Sequence, residues 1–373
     1  MLELFGRLDK EGRIDMTQRV WDRIRSKFFY SSTATGITVA VGFVLAIIAV
    51  YLTDWAVLHA VFRADAQACY ETSGACWGFV AEKWRLIIFG RYPFDQQWRP
   101  AVGTLAIVLM LVATACPRFW TRKGARGLAI GWGVAAVLFF GLMYGGFFGM
   151  SFNGTDTWGG LPLTVILTLL GMTVSAPIGI LLALGRRSKM PCIRAFSVGY
   201  IELVRGVPLI TVLFVASFVF PLLMPSGMRI DPFWRVAGGI ILFQAAYMAE
   251  TVRGGLQTIA KGQFLAADSL GMNTFQTYYY VILPQALVAV IPAFVNSLLS
   301  TFMDTSLVTV VSMYDLTGAL SLALGDANWR DFFREGYIFI AGIYFVTSFV
   351  MSRYSQWLEK RLTGNKKNSA ISI

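Results

Sequence analysis

Apolar residues occur in long runs separated by short polar segments, and this pattern predicts a helical membrane protein. Eight runs have about the length that crosses a bilayer: 36–53, 101–117, 127–149, 161–184, 207–224, 236–257, 286–303 and 336–352. A span needs roughly 20 mostly apolar residues, and its backbone must be hydrogen-bonded within the membrane. No stretch alternates like barrel strands. We therefore expect an all-α polytopic membrane protein with about eight transmembrane helices.

The composition agrees with this class. The chain has 373 residues, of which 56% are hydrophobic and 14% are charged, whereas a soluble domain has about a quarter charged residues. The net charge of +11 raises the alternative of a nucleic-acid partner. The basic residues lie in short clusters between apolar runs, as membrane topology requires, and zinc or RNA-binding signatures are missing. We expect contact with membrane lipid and none with nucleic acid.

The basic clusters predict the orientation. Pro117–Arg126 and Gly185–Arg194 each carry four basic residues and no acidic residue, whereas Ser151–Gly160 has no Lys or Arg. Basic loops face the cytoplasm. With eight spans, these clusters and both termini fall on that side. The expected segments are a cytoplasmic N-terminal segment (1–35), three spans (36–150) with an outer loop (54–100), a five-span core (160–355) and a basic cytoplasmic tail (356–373).

The N-terminal segment allows two interpretations. Val20, Trp21, Ile24 and Phe28 share one face of a possible helix, with basic residues elsewhere. Such a helix lies in the membrane interface. The alternative is a solvated arm that leads into the first span.

The four cysteines fall into two groups. Cys69 and Cys76 are separated by six residues in the predicted outer loop, where disulfides persist. We hypothesise a bridge between them, with two unpaired cysteines as the alternative. Cys116 and Cys192 lie at predicted cytoplasmic ends and should be free thiols. The single histidine, His59, and the absence of ligand spacing argue against a metal site.

Residues 262–284, which we call the elbow, are too polar to cross a bilayer. They predict two short helices joined at Gly271, which tolerates the positive φ of a helix end. Asn273 or Thr274 can cap the second helix, and Pro284 marks the return to the membrane. Phe264, Ala267 and Leu270 are expected on one face of the first helix, and the second helix carries Phe275, Tyr278 and Tyr279. The elbow either docks in a groove of a soluble partner or packs only on its own spans.

The elbow resembles the EAA loop of ABC-transporter permeases. That pattern is Glu-Ala-Ala, three residues, Gly, nine residues and Ile-x-Leu-Pro. The matching positions are Ala266, Ala267, Gly271, Val281, Leu283 and Pro284. This sequence departs from the pattern at Leu265, which occupies the Glu position. The resemblance implies a type I ABC importer transmembrane domain whose elbow is the ATPase-coupling loop.

Three further segments resemble the polar amino-acid permeases: Tyr200–Phe214, Ala246–Ile259 and Asp304–Val311. The likeness covers residues 160–355, the expected permease core. The three additional N-terminal spans resemble the larger, M-type permease subunits of general L-amino-acid transporters of Gram-negative bacteria. The resemblance implies a multi-pass protein of the bacterial inner membrane, with residues 54–100 forming a periplasmic loop.

The resemblance also implies partners. They are an ABC ATPase dimer that holds ATP and Mg, a second related permease in a heterodimer, a periplasmic amino-acid-binding protein and an L-amino-acid substrate. No phosphate-binding loop and no catalytic constellation occur in the sequence. We therefore expect a transport subunit without catalytic residues or a cofactor of its own. The alternative is an ion-gradient-driven secondary amino-acid transporter, of which an interruption at Pro177 would be a sign.

Four ionisable residues are candidates for the translocation path or its inner gate. Glu250 and Arg253 share a helix face because they are three residues apart, and Glu202 and Arg205 are the same distance apart. Ionisable residues in spans are rare and face the bundle interior. The other interpretation is that Glu250 and Arg253 only fix helix packing, either alone or together with Glu202 and Arg205. Asp304, Thr305 and Ser306 are expected to cap a short helix.

Overall fold

The computed structural model describes residues 25–225 and 227–371, within two units that run from Met1 to Ala81 and from Glu82 to Ile373. Regular structure in the described residues is helical, apart from two isolated bridge contacts. The interface helix expected around Val20, Trp21 and Ile24 lies outside the described residues.

The first unit contains one long helix, α1 (Ser32–Thr53). Ser31 caps it, because its hydroxyl oxygen accepts a hydrogen bond from the Ala34 amide at 3.2 Å. The helix is strongly apolar and none of its residues is buried. A helix that is apolar all round is typical of one surrounded by lipid. The first expected span is thus a helix whose side chains are not buried by other residues of its own unit.

A short loop with a disulfide follows α1. Helix α2 (Ala66–Tyr70) ends near Cys69, which is bonded to Cys76 with the two Cα atoms 5.4 Å apart. The Trp77 indole donates to the carbonyl oxygen of Ala56 at 2.8 Å and ties the loop to the end of the first span. Cys116 and Cys192, both in the second unit, are exposed free thiols.

The remaining helices follow in chain order. They are α3 (Trp77–Phe89), α4 (Trp98–Ala115), α5 (Arg122–Tyr144), α6 (Gly160–Arg186), α7 (Pro191–Arg205), α8 (Leu209–Leu222), α9 (Pro232–Gln257), α10 (Lys261–Ser269), α11 (Leu283–Asp304), α12 (Leu316–Ala323) and α13 (Phe333–Ile371). Helix α6 runs through Pro177 without a break, so the interruption that would favour a secondary transporter is not there.

The number of spans differs from the expected eight. Six described helical segments are long and apolar enough to cross a membrane, and a seventh counts if α7 and α8, bent by 104°, form one broken span. All eight expected runs nevertheless lie mostly within helices. The expected run that does not qualify as a membrane span is 236–257, which lies in α9. This helix is 26 residues long, carries Gln244, Glu250 and Arg253, and has more than half of its residues buried. A helix enclosed by other helices can be polar, because little of it meets lipid.

Helix α9 lies at the centre of the second unit and packs most extensively on α6 and next on α11. Two glycines permit close approach. A Cβ at Gly179 would lie 2.6 Å from the Met248 side chain, and one at Gly255 would lie 2.4 Å from the Val290 side chain. Larger residues there would push the helices apart.

Two apolar clusters fill the second unit. The first surrounds Trp158 and Phe233 and includes Ile107 of α4 and Phe139 of α5. Helices α4 and α5 thus share a core with the later helices, and the compact units divide between Ala81 and Glu82. The second cluster joins α6, α7, α9 and α11, and we call it the inner cluster. It carries the candidate site.

Candidate functional site

The elbow turns at Gly271, as expected. Helix α10 ends there with two hydrogen bonds, from the Gly271 amide to the Asp268 carbonyl at 2.9 Å and from the Met272 amide to the Ala267 carbonyl at 3.1 Å. Gly271 has a φ of +70°, so these bonds form a Schellman motif with glycine in the left-handed region. An added Cβ would meet nothing within 4 Å. Backbone conformation alone therefore requires this glycine.

The second limb of the elbow begins with a capping box. Asn273 accepts from the Gln276 amide at 2.9 Å, and the Gln276 side chain accepts from the Asn273 amide at 3.0 Å. Of the two expected caps, Asn273 is the one used. These reciprocal bonds satisfy amides that the helix leaves free. Together with the Schellman motif, they fix the angle between the two limbs.

The helix continues through Pro284, the residue expected to mark the return to the membrane, without a break. The chain is helical from Thr274 to Val311, with a π-helical turn at Thr277–Ile282 that ends two residues before the proline. Proline lacks an amide hydrogen and crowds the preceding turn of a regular α-helix. A wider turn before Pro284 relieves that conflict. The elbow is therefore continuous with α11, so a displacement of one is a displacement of the other.

The inner face of the elbow packs on its own spans. Ala267 and Ile282 are buried, and the half-buried rings of Phe264 and Tyr278 meet edge to face with centroids 6.1 Å apart. Ile282 belongs to the inner cluster, and Phe264 and Tyr278 pack against it. Of the other matched motif residues, Val281 and Leu283 are half-buried, and Ala266 and Pro284 are exposed.

The outer face of the elbow is apolar and exposed. Leu265 is 68% exposed, Leu270 77% and Phe275 72%. The Phe275 and Tyr279 rings stack with centroids 5.6 Å apart. The expectation that Leu270 lies with Phe264 and Ala267 is wrong, because α10 ends at Ser269. On the second helix of the elbow, Phe275 and Tyr279 lie outward while Tyr278 lies inward.

Glu250 is the centre of an ion-pair network behind the elbow. One carboxylate oxygen lies 2.7 Å from the Arg186 guanidinium, and the other lies 2.7 Å from Arg253 and 3.6 Å from Arg205. Arg186 also pairs with Glu202 at 3.0 Å. We call these five residues the Glu250 network. It joins the C-terminal ends of α6 and α7 to the last third of α9.

The structure thus brings together Glu202, Arg205, Glu250 and Arg253, the four residues that the sequence indicated. Arg186 joins them by pairing with both carboxylates. The sequence pattern does not identify Arg186 as a partner of Glu250, because a basic loop indicates only membrane topology. The side chain of Glu250 is 15% exposed, against 57% for Glu202. A carboxylate in that position with three guanidiniums is fully compensated, so removing it leaves positive charges without a partner.

The segment after α11 differs from expectation. Asp304 makes no side-chain cap to the short helix Thr305–Val311. The capping residue nearby is Asp315, which starts α12 and accepts from the Gly318 amide at 2.9 Å and the Thr309 hydroxyl at 2.7 Å. Burial raises the pKa of the Asp315 carboxyl, against the opposing effect of these donors. The apolar pattern of the sequence does not reveal Asp315 as a cap, because a capping residue precedes the helix and does not take part in its periodicity.

Comparison with known proteins identifies close relatives. A family model described as a binding-protein-dependent transport system inner membrane component matches residues 175–364. The chain is 47% identical, over 83% of its length and 84% of the relative, to the inner membrane amino-acid ABC transporter permease protein YhdY of Escherichia coli (strain K12).

A second relative and a solved structure are also similar to this chain. The chain is 36% identical to the glutamate/glutamine/aspartate/asparagine transport system permease protein BztC of Rhodobacter capsulatus, over 78% of this chain and 80% of that one. A crystal structure of an amino acid ABC transporter with histidines matches 54% of the chain and 91% of its own, with 32% identity and a TM-score of 0.49.

Proposed function

The chain belongs to the family of binding-protein-dependent transport system inner membrane components, and we propose that it imports L-amino acids as the membrane-spanning subunit of an ABC transporter. The family model covers residues 175–364, the half of the chain that holds the elbow and the Glu250 network. The amino-acid substrate class is supported by the two relatives that align over most of the chain. ATP hydrolysis takes place on a separate subunit.

The single observation that carries the coupling mechanism is the division of the elbow into two faces. The inner face is packed into the helices, while Leu265, Leu270 and Phe275 remain exposed. Short amphipathic helical elements of this kind dock in hydrophobic grooves of partners. The outer face is the docking surface for the ATPase. Leu265 offers an apolar contact where the motif has Glu.

Movement of the ATPase reaches the spans through the elbow. The Schellman motif at Gly271 and the capping box at Asn273 keep the elbow rigid, and its second limb continues into α11. Ile282 carries displacement into the inner cluster, where α11 packs on α9. Coupling requires that the ATPase contact the elbow differently in its two states.

The Glu250 network positions helices. Every carboxylate oxygen of Glu250 is engaged by a guanidinium, and a group so fully engaged has little left to offer a passing substrate. We assign it the packing role, in which it holds α6, α7 and α9 together beside the elbow. Arg186, Arg205 and Arg253 are then positioning residues and not substrate ligands.

The complete transporter contains further chains. It comprises an ATPase dimer that holds ATP and Mg, this chain paired with a second related permease, and a periplasmic amino-acid-binding protein. This chain holds no cofactor, both its termini are cytoplasmic, and it corresponds to the M-type subunit. The positive clusters at Pro117–Arg126 and Gly185–Arg194 support that orientation.

Uptake by the purified complex in liposomes tests the proposal. A tag on this chain would recover the complex, and the co-purifying binding protein would point to the amino acids to use. We expect uptake to require ATP and to continue when ionophores remove every ion gradient. Uptake driven by an ion gradient without ATP would instead support a secondary transporter.

A further inference from the structure

A cleft of about 430 Å³ lies between the inner face of the elbow and the turn that joins α6 to α7. Its lining residues are Arg186, Arg187, Ser188, Arg194, Phe264 and Tyr278. We call it the arginine cleft. The docking face for the ATPase lies on the opposite side of the elbow, so the coupling mechanism leaves this cleft without a role.

The arginine cleft carries positive charge that is not compensated. Arg186 is engaged by Glu202 and Glu250. Neither Arg187 nor Arg194 forms an ion pair with any residue in 25–225 or 227–362. Two neighbouring arginines without carboxylates favour an anion, and guanidinium groups match the geometry of phosphate.

Two polar features strengthen the preference for an anion. The Ser188 side-chain oxygen accepts from the Met190 amide at 3.1 Å, which leaves its hydroxyl hydrogen available to a ligand. Helix α7 begins at Pro191, immediately after this turn. The N-terminus of a 15-residue helix adds a partial positive charge at the same place.

The position of the cleft favours a phospholipid. Helix α6 is long and apolar enough to span the membrane and ends at Arg186, so Arg187 lies where headgroups lie. Ile193 and Phe196, which flank Arg194 on α7, are exposed and apolar. They offer a surface to acyl chains, which a soluble phosphate compound does not have. Basic pockets at the ends of spans bind anionic headgroups in this way.

We propose that the arginine cleft binds the phosphate group of an anionic phospholipid. Arg187 and Arg194 hold the phosphate, Ser188 donates to it, and Phe264 and Tyr278 shield it from water on the elbow side. Because the elbow forms one wall, the bound headgroup links the elbow to the α6–α7 turn. This inference stands independently of which amino acid the transporter carries.

Lipid binding to the complete complex tests this proposal. Wild type, an Arg187→Gln/Arg194→Gln variant and an Arg118→Gln/Arg122→Gln control, purified with their partner subunits, would be titrated with phosphatidylglycerol and with phosphatidylcholine. Native mass spectrometry would count bound lipids. The control removes the same charge from the other basic loop, which does not line the cleft.

We expect the cleft variant to bind the tightest phosphatidylglycerol about thirty-fold more weakly, since each basic residue near an anionic lipid contributes ~1 kcal/mol. The control should match wild type, and phosphatidylcholine should show no difference. Equal phosphatidylglycerol binding in all three proteins would overturn the proposal.

Two further arms test the source of the phosphate. Glycerol 3-phosphate that displaced the lipid at equal concentration would show that a soluble phosphate compound is the ligand, and would overturn the assignment to lipid. Phosphatidylglycerol that bound this chain alone, but not the complex with its ATPase, would show that a partner's acidic residue fills the cleft.

Discussion

The outer face of the elbow and the Glu250 network lie on either side of the same short segment. The side chains of the outer face are exposed to solvent, whereas those of the network are paired with one another. The outer face leaves Leu270 and Phe275 largely exposed. Glu250 is engaged by three guanidiniums on its own chain. An exposed apolar surface indicates a binding site for a partner. A buried charge that is paired with counter-charges indicates an interaction completed within the subunit.

This contrast separates two kinds of defect. Substitutions in the Glu250 network should damage the subunit itself. Substitutions on the outer face should leave the subunit intact and weaken its contact with the ATPase. The predictions below test that separation, from the largest expected effect to the smallest.

The largest effect is expected for Glu250→Gln. This change leaves Arg205 and Arg253 without a carboxylate, and breaking a largely buried pair costs about 3 kcal/mol. Thermal unfolding in detergent should show a lower melting temperature, and less assembled transporter should be recovered from membranes.

The matched control for this substitution is Glu202→Gln. That carboxylate pairs with Arg186 but is 57% exposed, so its loss should cost about 1 kcal/mol or less. Normal assembly and stability of Glu250→Gln with lost transport would contradict the packing role and return Glu250 to the translocation path.

Phe275→Ala should weaken binding of the ATPase by about 2 kcal/mol, because exposed aromatic residues that enter a partner's groove carry much of the binding energy. The stability of the subunit should change by less than about 0.5 kcal/mol, as is usual for a surface position. Affinity measured with purified ATPase, together with thermal unfolding of the subunit, checks both parts. A stability loss without an affinity loss would show that Phe275 serves the fold.

Gly271→Ala should have the smallest effect, a loss of about 1 kcal/mol in subunit stability, because the left-handed conformation is unfavourable for a residue with a Cβ. The control is Gly262→Ala, a helical position that also has nothing within 4 Å of an added Cβ but lacks a positive φ. That control should be neutral or slightly stabilising. Equal effects of the two substitutions would remove the conformational argument.

The sequence predicted those parts of the site that depend on local chemistry. Gly271 and Asn273 form the turn and the cap that their residue types indicate. The run of apolar residues also identified the helices around the site. These features depend on neighbours a few positions away, which a single sequence contains.

The parts that depend on distant residues were not predictable in this way. Arg186 reaches Glu250 across 64 positions, and nothing in a basic loop indicates that partner. The side on which Leu270 lies depends on the residue at which α10 ends. Helix α9 was predicted as one span like the others, but its polarity is tolerated because α6 and α11 enclose it.

The account depends most directly on where the elbow docks. A single cysteine introduced as Ser269→Cys, in a background with Cys116→Ala and Cys192→Ala, would be cross-linked in membranes to partner subunits. Asn328→Cys, also exposed but predicted to lie on the outer side, is the control. We predict that Ser269→Cys gives a product containing the ATPase and that Asn328→Cys does not. Failure of Ser269→Cys to reach the ATPase, while Asn328→Cys does, would contradict both the docking surface and the orientation.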